Sequence, residues 1–295
     1  MTPAPSARLR VSAIHFLNPA PLMWSFEHEP DRSRFAERYE LSSDTPAECA
    51  AKLASGAADI GLVPVSALAF TPALAVIPGC TIASRDRVRS IILVVRNPDG
   101  SAPEDVSGVA RVALDSASRT SATYTRILFA RFWQIQPAFI EHAPDLEAML
   151  RVADAALLIG DPALFALEDR EAREHRTGEK LLYLDLAHEW HQFTDTVWVS
   201  AVWAANPGAV AASGIPASQI TTDFQHSRDA GLRHIDALAD EWSTRIAVPR
   251  ETIRTYLSKN IWYTLDEPCL AGLDLFYRYG VECGALPLAP KPRFL

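Results

Sequence analysis

The chain has 295 residues, 48% of them hydrophobic and 22% charged, with a formal net charge of −8. That composition supplies material for a sizeable core and excludes a low-complexity or disordered chain. The acidic balance argues against general binding to nucleic acid or to an anionic membrane surface, and the length predicts two domains of roughly 100–200 residues.

The first apolar run, residues 9–17, reads as a strand, and a helix is expected from about Pro21. Between them, in IHFLNPAPL, stands Asn18. A polar amide there fits a strand leaving its sheet, or a residue at the mouth of a cleft. In TPAECAAKLASG, Thr45 or Asp44 can cap a helix, Pro46 suits its first turn, Glu48 adds a favourable charge and Gly56 ends it. The short strand Ile60–Val63 follows, closed by Pro64. Ser66 then stands where it can either cap the next helix or face a ligand. VRSIILVV, residues 88–95, reads as a long strand with Ser90 at its start. A strand at Arg111–Leu114 and a helix from about Thr120 to Phe132 come next, then a helix containing Leu146, Met149 and Leu150, and a strand at Ala155–Ile159. Asp161 follows that strand directly, as a helix cap or a hydroxyl contact. Strands are expected at 182–184 and 196–205. After about Asp223 the chain reads as helical, with Leu232, Ile235, Leu238, Trp242 and Ile246 on one apolar stripe.

Residues 58–68 and 153–164 share a helix–strand–turn pattern, which fits two domains of similar plan. If the strands at 88–95 and 196–205 both cross between domains, residues 97–199 form an inserted α/β domain. Residues 1–96 plus 200–295 then form the other, discontinuous one.

The richest chemistry lies in ALDSASRTSATYTRIL. A strand runs into a helix start crowded with Ser118, Arg119, Thr120 and Ser121. Free N–H groups at a helix N-terminus favour anions, and the hydroxyls and guanidinium add donors; ordinary capping is the alternative. His188, Glu189 and His191 lack the HExxH spacing, so no metal site is expected. The four cysteines are scattered and read as buried free thiols of a reducing compartment. The N-terminus makes a poor signal peptide, and no apolar run approaches the roughly 18 residues of a membrane span. A cytoplasmic protein is expected, with its oligomeric state left open.

Taken together, FLNPAPL (16–22), GAADIGLVPVSAL (56–68), VRSIILV (88–94), LDSASRTSA (114–122), LYLDLAHEWHQFT (182–194) and the tail 258–284 resemble the menaquinone-biosynthesis family of the futalosine route, specifically its chorismate dehydratase branch. The sister branch, which forms dihydroxynaphthoate, opens on a Ser-Pro-Cys-Pro-Asn type motif that is absent here. His15 and Phe16 stand where the family often has Ser-Tyr. The resemblance implies a two-domain type II periplasmic-binding-protein-like α/β fold, with two crossing hinge strands, a helical C-terminal region and a ligand between the domains. It also implies dehydration of chorismate, a dianion, to 3-[(1-carboxyvinyl)oxy]benzoate without metal or organic cofactor. Asn18 and Ser90 would be catalytic. The substrate would be bound by Ser66, Ser118, Arg119, Thr120 and Ser121, with His15 and Asp161 as reserve acid or base. The competing expectations are a non-catalytic small-anion binding protein and the sister enzyme.

Overall fold

The computed structural model describes residues 8–97 and 101–295. Residues 1–7, on which the reading of the N-terminus partly rests, lie outside them. Among the described residues, ten strands form two five-stranded sheets. The first contains β1 (Leu9–Ile14), β2 (Tyr39–Asp44), β3 (Ile60–Pro64), β4 (Ala75–Ser84) and β10 (Trp198–Ala205), in the order β2-β1-β3-β10-β4. The second contains β5 (Ile91–Val95), β6 (Arg111–Asp115), β7 (Ala138–His142), β8 (Ala155–Ile159) and β9 (Leu182–Asp185), in the order β7-β6-β8-β5-β9. Each sheet has three parallel strands and then an antiparallel one, β10 against β3 and β5 against β8. The weak likeness of 58–68 and 153–164 thus corresponds to real equivalence, since β3 and β8 occupy the same central place. Both are buried along their whole length, as strands covered on two faces must be.

Local chemistry explains the elements that the sequence made legible. In the helix Pro46–Ser55, the Thr45 hydroxyl accepts from Glu48 N while the Glu48 carboxylate takes Thr45 N at 2.8 Å. Gly56 closes the helix at φ +74°. The helix Arg119–Ile127 is capped by Ser118 and runs on as a π-helical turn, Leu128–Trp133, close to the expected end.

Three expectations need correction. The strand read at 9–17 stops at Ile14, leaving Asn18 in the turn beyond it. The strand read at 88–95 begins only at Ile91, because Arg89 adopts φ +63° and breaks it. The single apolar stripe of the tail belongs to two helices, Ala217–Arg233 and Ile235–Trp242. Leu232, at the end of the first, is exposed, while Leu238 and Trp242 are buried. Cys49, Cys80 and Cys269 are buried free thiols, with burial pushing each up to about 12.

Two segments join the sheets: 85–90, between β4 and β5, and 195–197, before β10. We propose the division expected from the sequence with its boundaries moved into these segments, because β5 pairs only within the second sheet and β10 only within the first. The C-terminal helix Glu267–Glu282 lies across the join. Its Phe276 meets Tyr124 of the Arg119 helix at 4.2 Å between ring centres, and Tyr124 stacks on Trp198 at 3.6 Å. Among the described residues no helix is long and apolar enough to cross a membrane.

Candidate functional site

A cavity partly open to solvent lies between the two sheets. Ile14, Phe16, Pro46, Pro64, Ile91 and Ile159 supply apolar wall. Asn18, Ser90, Ser118, Thr120, Ser121 and Ser200 supply the polar groups. Among the described residues lining it there is no Lys, Arg, His, Asp or Glu. Any anion taken here is therefore met by hydroxyls, an amide and the start of the Arg119 helix, in walls of low dielectric where such dipoles act strongly.

Each polar group is held by a different part of the chain. Asn18 sits in the turn after β1, where its backbone carbonyl accepts from the Tyr263 hydroxyl at 3.0 Å. Its side-chain oxygen is buried without a hydrogen-bond partner among the described residues. A buried acceptor left unpaired costs about 1–3 kcal/mol, so its retention at a cavity wall points to a ligand that donates to it.

Ser90 ends the first crossing segment. Asp185 fixes the approach by accepting from Val88 N at 3.2 Å and Arg89 N at 2.6 Å, while also capping the helix Leu186–Thr194 through Ala187 N and His188 N. That grip stabilises the left-handed backbone of Arg89, a conformation costing on the order of 1–3 kcal/mol. The Ser90 side chain then takes a hydrogen bond from the Tyr256 hydroxyl at 2.7 Å. At the helix start, the Ser118 hydroxyl receives Ser121 N at 3.2 Å. Thr120 Oγ1 accepts from Ser66 N and donates to Ser66 Oγ, both at 3.1 Å.

The nine residues singled out from the sequence thus separate. Asn18, Ser90, Ser118, Thr120 and Ser121 converge on the cavity. Ser66 is fully buried behind Thr120 and acts through it; it caps no helix, since Pro64 precedes the short 3-10 turn Val65–Ala69. Arg119 is exposed, because successive residues of a helix point about 100° apart and its neighbours face inward. His15 is also exposed and lines an adjoining hollow, its Nδ1 2.8 Å from the Asp44 carbonyl oxygen.

Asp161 closes the cleft rather than lining the cavity: its carboxylate accepts from Leu17 N at 3.0 Å, across the two sheets. Beside it Gly160, at φ +63°, packs against the Phe16 ring, leaving no room for a Cβ. Burial pushes the Asp161 carboxyl up from 3.8 to about 6, against the opposing pull of Leu17 N and His15. Between about pH 4 and 6 the folded protein therefore holds a proton here that the unfolded chain has lost. Stability falls as pH rises through that window and stays lowered above it. Asp161→Asn keeps an acceptor for Leu17 N. It is expected to melt higher than wild type at pH 7, and the gap between the two proteins should shrink as pH drops from 6 to 4; a constant gap overturns this account.

The sequence reading missed Tyr256, Tyr263, Ser200 and Gly160. The two tyrosines flank or lie within the tail motif SKNIWYTLDEP, and Ser200 is the polar residue of VWVSAVW. Each signal was visible, but none carried a direction.

A family model described as menaquinone biosynthesis matches residues 9–282, nearly the whole chain. The chain belongs to the menaquinone biosynthesis family. Its place in that family gives it a role in menaquinone biosynthesis. Solved structures agree on the fold. A protein from Archaeoglobus fulgidus is 14% identical, with a TM-score of 0.66, over 95% of this chain and 98% of that one. The periplasmic aliphatic sulphonate binding protein SsuA of Escherichia coli is 14% identical, with a TM-score of 0.65, over 99% and 94%. A Candida albicans gene product described as having the generic periplasmic binding protein fold is 13% identical, with a TM-score of 0.65, over 98% of each chain. This menaquinone biosynthesis chain has the two-domain, type II periplasmic-binding-protein-like fold.

Proposed function

We propose that the protein is a lyase that removes water from chorismate, giving 3-[(1-carboxyvinyl)oxy]benzoate, in the cavity between the two sheets and in the cytoplasm. The observation that carries this reading is the unpaired amide oxygen of Asn18 beside a hydroxyl-rich helix start. A substrate with two carboxylates and one hydroxyl matches that set: the carboxylates accept, and the hydroxyl donates to Asn18. Ser118, Ser121 and the helix N-terminus hold one carboxylate, with Thr120 locked by Ser66 as the wall behind.

In the reaction the ring hydrogen at C3 leaves as a proton and the C4 hydroxyl leaves with its electron pair; together they form water. The C3–H electrons enter the ring, which becomes aromatic. Asn18 and Ser90 are not bases at neutral pH, and the cavity lining offers none among the described residues. The enolpyruvyl carboxylate of the substrate is therefore assigned the proton, with Asn18 and Ser90 orienting the reacting groups. Catalysis is then positioning and electrostatic stabilisation, and it needs no metal or organic cofactor.

The uncharged lining also favours a second reading, a non-catalytic anion binder, and one structural neighbour is a sulphonate binding protein. Purified protein incubated with chorismate and a metal chelator, followed by mass spectrometry, separates the two. A product lighter by one water, with an aromatic ultraviolet spectrum, is expected. Tight binding with chorismate unchanged favours the binder. Turnover only of the cyclised futalosine intermediate favours the sister enzyme.

A further inference from the structure

The segment 256–263 reaches both candidate catalytic residues. Tyr256 ends the helix Arg250–Thr255 and opens a π-helical turn, Tyr256–Asn260, in which Ile261 N returns to the Tyr256 carbonyl at 3.2 Å. Such turns alter the helical register locally and recur at functional sites. The chain then pairs with the end of β4, through Trp262 with Ala83 in both directions and Thr81 N to the Tyr263 carbonyl. Anchored there, it sends the Tyr263 hydroxyl to the Asn18 backbone and the Tyr256 hydroxyl to Ser90 Oγ.

The Tyr256 bond has a direction. Tyr256 and Ser90 are each 1% exposed, and the phenol is the donor at 2.7 Å. Burial pushes the phenol well above its ordinary pKa, so it keeps its proton throughout the working pH range. One lone pair of Ser90 Oγ is thereby occupied, and the serine's own proton has no protein acceptor among the described residues. The cavity that Ser90 lines is where that proton can be used.

We infer that Tyr256 is a positioning residue that makes Ser90 an obligate hydrogen-bond donor into the cavity, acting on a ligand oxygen that gains negative charge during reaction. The cavity lining also holds no base among the described residues to take the Ser90 proton, so Ser90 is not placed as a nucleophile. The inference deepens the proposed dehydratase reading and rests on it for its kinetic part.

The test is a double-mutant cycle of Ser90→Ala and Tyr256→Phe, scored twice. With chorismate, Tyr256→Phe is expected to lower kcat about 10- to 100-fold, below the ~10²–10³-fold of losing a direct donor, with KM within about threefold. The double variant should be no slower than Ser90→Ala alone. Unchanged kcat in Tyr256→Phe, or losses that multiply, overturns the inference. Without ligand, the melting-temperature losses of the two single variants should be non-additive, and additive losses overturn it whatever the protein turns over. Wild-type protein inert to chorismate, with a non-additive melting cycle, removes the dehydratase reading and leaves the Tyr256–Ser90 coupling standing. Should Tyr256→Phe show no cooperative melt, Tyr256→His replaces it, since a ring N–H can supply the donor. Recovery of about a tenth of kcat supports the inference, and a folded but inert variant overturns it.

Discussion

Asn18→Ala is expected to abolish most turnover of chorismate, by about 10²–10³-fold, while leaving the melting temperature at or above that of wild type. The two effects have one cause. The Asn18 side-chain oxygen is buried at the cavity wall without a partner among the described residues. Removing it therefore breaks no side-chain hydrogen bond to that oxygen within the described protein. The backbone bond from Tyr263 to the Asn18 carbonyl is untouched, so the turn stays in place. With substrate bound, the same amide orients the hydroxyl through its oxygen and a carboxylate through its N–H, and losing that orientation slows the reaction. Steady-state kinetics and a thermal melt check both halves. Retained activity would remove Asn18 from the mechanism, and a large fall in stability would show that the residue is kept for the fold.

Gly231→Ala is expected to cost a large share of the stability. Gly231 lies near the end of the helix Ala20–Glu27's partner, Ala217–Arg233, where an added Cβ would stand 2.0 Å from the Pro21 carbonyl oxygen and 2.5 Å from Pro21 Cα. These are backbone atoms, so no rotamer change can relieve the overlap. The helices are also tied together, since Ser227 Oγ donates to the Leu22 carbonyl at 2.8 Å and accepts from Ser25 N at 3.0 Å. Overpacking a core usually costs about 1–3 kcal/mol, and this site is placed at about 3 kcal/mol or more because only backbone can move. Gly214→Ala is the contrast: it also changes a glycine, at φ +73°, but with nothing within 4 Å, and should cost only about 1 kcal/mol. Urea denaturation of both variants gives the comparison, and equal midpoints would overturn it. Since the helix Ala20–Glu27 follows Asn18 and Pro19 directly, the surviving folded fraction of Gly231→Ala should also turn over more slowly.

What was legible in the sequence follows from how local each cause is. The helix cap, left between Asp44 and Thr45 and taken by Thr45, the glycine at 56 and the continuous apolar runs of β3 and β8 act within a few residues, and they appear where expected. β4 was not legible. Its Pro78-Gly79 reads as a turn, yet the strand continues, because it lies at a sheet edge and passes that dipeptide where its register against β10 shifts. The start of β5 was misread because Arg89's backbone is set by Asp185, 96 residues away.

By itself, then, the sequence determined the alternation of helix and strand, the repeated plan of the two sheets and the hydroxyl-rich helix start, all consequences of periodicity and short-range hydrogen bonding. Only the tertiary structure decided which of those hydroxyls face a cavity, that Arg119 and His15 are not among its lining, and that Tyr256 reaches Ser90 across 166 residues. The physical reason is direction. A residue's type announces what it can donate or accept, but where it aims depends on the elements packed against it, and those come from the far end of the chain.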